Sequence, residues 1–453
     1  MLGEAPDVRY AESSDGLRIA YEVVGSGPFD IVFALGLVPN LEMSRELPFL
    51  RRWLDRLASF ARVIHYDRRG VGLSDRDLGV GSPEERIEDI RAVMDAAGSN
   101  RASVVTSMDG GPIALAFAAM RPERVRSLAL YETWARVSWA PDFPEGRRAH
   151  PLTMHAASHW GDGSTFGLVV GDAWDPAGAQ ALLGRAERTN SSPRVAAEHF
   201  RLSQEVDVRS LLGAVQAPCL VVSRPAYGLD HLAASLAASI GAQYEALDGE
   251  HLHSWHDSYE DQVLDRIEPF LTGTDVHVPA DPDRVLTTLL FTDIVGSTSR
   301  ATRMGDAAWT RVLARHDARS ATLVARHRGR LVKRTGDGML ACFDSPAAAV
   351  RRASAIVSDV QVDGIQVRTG IHTGECQARG ADLAGLAVHI ASRVCDLAGP
   401  NDVLVTSTVR DLVVGSDLTF IERGSHELKG VAGRWALLKY ESADEVNPPS
   451  LTP

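Results

Sequence analysis

A chain of 453 residues is too long for one ordinary core, so two or three domains are expected. An apolar fraction of 45% with 23% charged residues is that of a globular protein, and a net charge of −12 excludes a general nucleic-acid binder, which needs clustered Lys and Arg. No apolar run is long enough to span a membrane, and residues 1–10 carry no signal-peptide pattern. Four scattered cysteines (Cys219, Cys342, Cys376, Cys395) with no CxxC predict reduced thiols and a cytoplasmic protein. Of the 47 basic residues only Lys333, Lys429 and Lys439 are lysine. In a chain that otherwise uses arginine, a lysine marks a place where a compact ammonium matters more than a planar fork.

Along residues 1–272, strand-like runs alternate with helical stretches: 30–36, 62–67, 103–107, 125–132, 218–224 and 242–249. That alternation predicts a mainly parallel sheet covered by helices. A Trp-rich insertion at about 134–210 interrupts it, and the Pro-containing stretch 273–284 reads as a linker. The second domain, 285–441, opens with a strand at 286–295, followed by a helix over roughly 306–327. RLVKRTGDGMLACF (330–343) reads as a hairpin turning at Thr335 to Gly338. A helix at 345–359, a strand at 367–375, a helix at 385–398 and a strand at 402–406 complete an α+β order. The polar tail 442–453 reads as disordered.

In FTDIVGST (291–298) and KRTGDG (333–338), an aspartate stands where an apolar run gives way to glycine: Asp293 and Asp337. Two carboxylates at adjacent strand ends suit a pair of Mg²⁺ or Mn²⁺ ions, hard cations that share oxygen ligands with substrate phosphates. The turn Ile294–Val295–Gly296–Ser297–Thr298 opens toward a helix, so its N–H groups suit a triphosphate. On these motifs, residues 285–441 resemble a class III nucleotidyl cyclase catalytic domain. The resemblance assigns the metals to Asp293, Ile294 and Asp337. It gives adenine recognition to Lys333 and Asp382: an ammonium facing N1 and a carboxylate accepting from the 6-amino group suit ATP and not GTP. It gives the ribose and α-phosphate to a helical pair four residues apart, here His389 and Arg393, where the family has Asn and Arg. Lys429 in HELKGV matches a lysine that meets the terminal phosphates. The resemblance implies a homodimer with each site completed by both subunits.

RVIHYDRRGVGLSD (62–75) and MDGGPIALAFAAMRPERVRSLAL (108–130) resemble the α/β-hydrolase family, whose G-x-S-x-G elbow exposes a nucleophilic serine between strand and helix. Here the elbow reads Thr106-Ser107-Met108-Asp109-Gly110, so Met108 fills the serine position. A thioether cannot act as an acyl-accepting nucleophile. Ser107 is one residue early, so its side chain is expected to point away. His251 fits the triad histidine. The acid position falls near Tyr227, with Asp230 as a looser candidate. His251, His253 and His256 lack a further metal-ligand pattern. The chain thus reads as an adenylyl cyclase with a degenerate hydrolase domain as ligand sensor, whose Trp134, Trp139, Trp160 and Trp174 are candidates to line a pocket for a small apolar ligand. Two alternatives stand beside it: a ligand-binding regulator with a weak or silent cyclase, and a serine hydrolase using Ser107.

Overall fold

The computed structural model of the chain describes residues 7–36, 40–76, 79–137, 150–170, 178–225, 229–249, 251–273, 284–326, 329–360, 364–379 and 382–441. It divides into two compact units, residues 1–280 and 281–453. Trp139, Trp174, Tyr227, most of the expected linker and the tail 442–453 lie outside the described residues.

In chain order the first unit comprises β1 (Arg9–Glu12), β2 (Arg18–Val24), β3 (Asp30–Leu35), α1 (Met43–Glu46), α2 (Pro48–Phe60), β4 (Arg62–Tyr66), α3 (Pro83–Ala96), β5 (Ala102–Met108), α4 (Gly110–Met120) and β6 (Val125–Thr133). The insertion follows as four helices, α5 (His150–His159), α6 (Ser164–Val170), α7 (Ala179–Asn190) and α8 (Pro193–Glu205), before β7 (Cys219–Ser223), α9 (Asp230–Ile240), β8 (Gln243–Ala246) and α10 (Asp257–Gly273). The sheet runs β1-β2-β4-β3-β5-β6-β7-β8. It is parallel from β4 onward, with an antiparallel β1–β2 edge that the sequence reading missed. The strand order reverses beside β3 and β5, and in such sheets the crevice at the carboxyl ends of the two strands is where ligands bind.

Local sequence explains the main elements. β5 is buried along its whole length, as its uninterrupted run ASVVTSM demands of a central parallel strand. Every residue of α4 is buried too, which a helix apolar on all sides requires. α3 starts at a capping box, Ser82 with Glu85, and has Pro83 in its first turn. Met108, Trp53, Trp134, Tyr131 and Phe200 belong to one buried apolar cluster, so Trp134 (1% exposed) is core.

The second unit comprises β9 (Arg284–Ile294), α11 (Ser297–Met304), α12 (Asp306–Ala325), β10 (Arg330–Arg334), β11 (Met339–Phe343), α13 (Pro346–Val360), β12 (Val367–Arg379), β13 (Asp382–Ala384), α14 (Leu386–Leu397), β14 (Val403–Thr406), α15 (Ser407–Leu412), β15 (Thr419–Glu427) and β16 (Arg434–Glu441). Its sheet runs β10-β11-β9-β12-β14-β16-β15, with β13 paired to β12. The helical stretch after β9 is two helices and not one, because Gly305 sits at φ +78° between them. Fold class in both halves is as expected: a mainly parallel hydrolase sheet with a helical cap, then an α+β domain. Among the described residues, no helix is long and apolar enough to cross a membrane.

Candidate nucleotide site and the hydrolase elbow

The nucleotide site is built on the central pair β9–β12 and the hairpin β10–β11. β9 pairs antiparallel with β11, Thr292 opposite Met339, which sets the Asp337 turn beside the strand end that carries Asp293. The turn closes through Thr335 N–H donating to the Gly338 carbonyl at 2.9 Å. A Cβ at Gly338 would overlap the Thr292 carbonyl oxygen, so glycine is what lets the turn lie this close. Ile294 ends β9. Val295 N–H donates to the Gln366 carbonyl at 2.8 Å, and Gly296 (φ +67°) turns the chain into α11, which Ser297 and Thr298 begin.

Asp293 is not a free carboxylate. Arg368, opposite it in the β9–β12 register, donates to Asp293 Oδ2 from Nε at 2.8 Å and from Nη2 at 2.5 Å. Oδ1 makes no hydrogen bond among the described residues, and neither does the Asp337 side chain. Arg368 also donates from Nη1 to the Asp396 carbonyl on α14 at 3.2 Å. The chemistry of this donor set fits Mg²⁺ or Mn²⁺: hard oxygens at two neighbouring strand ends, one of them uncommitted, with the remaining positions left to phosphate oxygens and water. No group of three or more His, Cys, Asp or Glu capable of holding a metal by itself occurs among the described residues.

Lys333 on β10 and Asp382 on β13 meet: Nζ donates to Oδ2 at 2.8 Å. Their side chains are 43% and 50% exposed, so the ion pair contributes only about 0–1 kcal/mol to stability. Arg393 on α14 donates from Nε to the Lys429 carbonyl at 3.2 Å and from Nη1 to Asp396 Oδ2 at 2.8 Å. Lys429 lines a surface hollow with Glu427 and Arg434. His389, one turn before Arg393, is exposed and makes no hydrogen bond among the described residues. The structure therefore joins Lys333 to Asp382 and Arg393 to the Lys429 backbone, and shows no contact from His389 to either set. Arg368 was missed by sequence reasoning, although the antiparallel alignment of VRTG with FTD points to it.

In the first unit Met108 sits at φ +51°, a left-handed backbone that costs an L-residue about 1–2 kcal/mol. That is the strained strand-to-helix elbow of a hydrolase nucleophile, kept with a thioether at its tip. Thr133 Oγ1 donates to the Met108 carbonyl at 2.5 Å, and a Cβ at Gly111 would overlap that threonine hydroxyl. Ser107 is fully buried, and its Oγ has no hydrogen-bond partner among the described residues. His251 is held by its backbone: its N–H donates to Tyr259 Oη at 3.2 Å, and the tyrosine hydroxyl donates to its carbonyl at 2.5 Å. Asp230 begins α9, and no hydrogen bond or ion pair joins it to His251 among the described residues. His253 instead pairs with Glu260 at 3.2 Å and stacks on Phe49, a packed histidine and not a ligand. Sequence reasoning also missed Glu132. It ends β6 at φ +48°, 1% exposed, and accepts from the Arg224 N–H, with Oε2 unpaired. Burial pushes its carboxyl up to about 8, against the pull of the Arg224 hydrogen bond and charge.

Residues 35–292 match the family model for the alpha/beta hydrolase fold, and residues 282–441 match that for the adenylate and guanylate cyclase catalytic domain. Among curated relatives, the chain is similar to an adenylate cyclase of Streptomyces coelicolor, 32% identical over 126 residues (27% of this chain, 33% of the relative). It is also similar to an adenylate cyclase of Glutamicibacter nicotianae, 29% identical over 153 residues (33% of this chain, 38% of the relative). The chain thus spans about a third of the length of these relatives. Among solved structures it is similar to an enol-lactonase from Burkholderia xenovorans, 22% identical with a TM-score of 0.47, covering 58% of this chain and all of that one. With the hydrolase model matching more than half of its length, the chain belongs to the α/β-hydrolase fold family, and it carries a C-terminal class III cyclase domain.

Proposed function

We propose that this protein is an adenylyl cyclase that converts ATP to 3′,5′-cyclic AMP and pyrophosphate, with the hydrolase-fold unit as its ligand sensor. The observation that carries the substrate assignment is the Lys333 Nζ–Asp382 Oδ2 contact at 2.8 Å. It sets a donor beside an acceptor, the complement of adenine N1 and its 6-amino group. Guanine presents the opposite pattern, an O6 acceptor and an N1 donor. Because the ion pair is exposed and weak, substrate displaces it at little cost.

Asp293, the Ile294 carbonyl and Asp337 are the residues that would hold two Mg²⁺ or Mn²⁺ ions. When bound, such a pair lowers the pKa of the ribose 3′-hydroxyl and neutralises the leaving pyrophosphate. The backbone N–H groups of Val295 to Thr298 and the Lys429 ammonium bind the phosphate chain. Arg393 stabilises charge on the α-phosphate during in-line attack, and His389 orients the ribose. Family resemblance puts these two groups of residues on opposite subunits of a homodimer, so a lone chain holds two half-sites. Lys333→Ala should lower kcat/KM for ATP by roughly 10- to 100-fold, the range expected when a charged hydrogen bond to substrate is removed. It should narrow the preference for ATP over GTP. An unchanged ratio of the two rates sinks the assignment.

The serine-hydrolase reading loses ground on one observation: Ser107 is fully buried and short of the elbow tip. A second copy of the chain and ATP are the partners this reading requires. Nucleic acid and membrane lipid play no part in it.

A further inference from the structure

Four polar side chains converge where β5 enters α4: Arg68 from the loop after β4, Arg86 on α3, Asp109 before α4, and His199 on cap helix α8. They are 9%, 6%, 4% and 7% exposed. Asp109 Oδ2 accepts from Arg68 Nη1 at 2.9 Å, and lies 3.6 Å from Arg86 Nη2 and 3.3 Å from His199 Nε2. The Arg68–Asp109 bond is the only side-chain hydrogen bond that either guanidinium makes among the described residues. A guanidinium carries five N–H donors, and buried charge is strongly unfavourable unless its donors are met. His199 Nδ1 has no hydrogen-bond partner either. Arg68 and His199 both line a narrow cleft of about 280 Å³, counted to its open mouth, together with Trp160, Asn190 and Phe200.

The local charge specifies the missing partner. Burial would raise the Asp109 carboxyl, but Arg68, His199 and Arg86 outweigh it and hold Asp109 well below the usual carboxylate range, so it is ionised. Burial, then the Arg68 charge, push His199 down to about 4, so it is neutral near pH 7. Asp89, nearby, is already taken by Arg69 through two hydrogen bonds. Two guanidiniums facing one carboxylate leave a single positive charge unmatched. A monoanion completes the set, whereas a dianion would overshoot it beside Asp109.

We propose that this cleft binds a small monocarboxylate, its carboxylate taken by the free N–H groups of Arg68 beside His199 and its apolar body laid against Trp160 and Phe200. The ligand class thus differs from the purely apolar one that the tryptophans alone suggest. The site needs no cyclase chemistry. Only its consequence, a change in cyclase rate on binding, rests on the sensor reading.

The test is calorimetric titration of the full-length protein with sodium benzoate and sodium hexanoate. Benzyl alcohol and hexan-1-ol serve as their uncharged counterparts. Saturable binding of at least one carboxylate, one per chain, is expected, with the matching alcohol weaker by roughly tenfold or more. Arg68→Gln should weaken carboxylate binding by a similar factor. Should that variant fail to fold for want of the Asp109 partner, Trp160→Ala must weaken the same binding through its loss of apolar contact. Absence of heat with both carboxylates, which would mean that water alone fills the cleft, overturns the proposal. So does an alcohol that binds as tightly as its acid, or a folded Arg68→Gln that binds unchanged. Cyclic AMP formation followed in the same samples separates the two claims, since binding without a rate change keeps the site and removes the coupling.

Discussion

His389 stands where related cyclases carry an amide, and its ring is exposed and unengaged. An imidazole has different reach and one fewer donor when neutral, so ribose positioning is the step it weakens. His389→Asn should raise kcat several-fold with little change in KM, measured as initial rates of cyclic AMP formation. An unaltered kcat would place the rate limit elsewhere. Glu132 offers a stability readout with a definite sign. Its folded-state pKa of about 8 lies above its ordinary value near 4.5, so the native state holds a proton that the unfolded state releases. The stability this contributes is fully present below about pH 4.5 and is lost as pH rises through 8. Glu132→Gln cannot ionise and keeps an acceptor for the Arg224 N–H. Its Tm should gain on that of wild type steadily between pH 5 and pH 8. A constant difference would mean that Glu132 is ionised throughout. Neither Glu132 nor Arg368 carries a local signal. One is defined by the depth at which β6 ends and the other by a strand register linking positions 75 apart in sequence, whereas Asp293 and Asp337 announce themselves by the glycines that follow.

Elements decide how these groups meet. The β10–β11 turn approaches β9 so closely that Gly338 has no room for a Cβ against the Thr292 carbonyl. Gly338→Ala should therefore destabilise the second unit by about 1–3 kcal/mol, the usual range for overpacking, and displace Asp337. The check is chemical denaturation alongside cyclase rate, and a variant with wild-type stability would show that the turn has slack. At the other elbow, the strained Met108 backbone and the buried Ser107 together predict no labelling of the chain by a fluorophosphonate probe; a labelled Ser107 would revive the hydrolase reading. Strand order and the cap were legible because apolar runs, Gly-rich turns and the Trp-rich insertion are patterns of short range. The edge strands β1, β2, β15 and β16 were not, since exposed strands with mixed polar composition lack an alternation strong enough to stand out. The break at Gly305 was hidden inside a continuous helical pattern.

Across the whole molecule, the account requires two chains for one site. Asp293→Ala and Arg393→Ala should each be inactive alone. Mixed in equal amounts, they should recover up to about a quarter of wild-type rate per chain. That figure follows because half of the randomly assembled dimers are mixed, and each of these carries one intact site. No recovery, with mixed dimers shown to form, would put all the groups on a single chain. The measurement that bears most directly on the central claim is cyclic AMP formation from ATP by the purified full-length protein with Mn²⁺, beside Asp293→Ala. The account predicts cyclic AMP and pyrophosphate in equal amounts from wild type, little product from GTP, and loss of both products in the variant. Formation of cyclic AMP undiminished in Asp293→Ala, or none from a wild-type protein shown to be dimeric and to bind ATP, would contradict it.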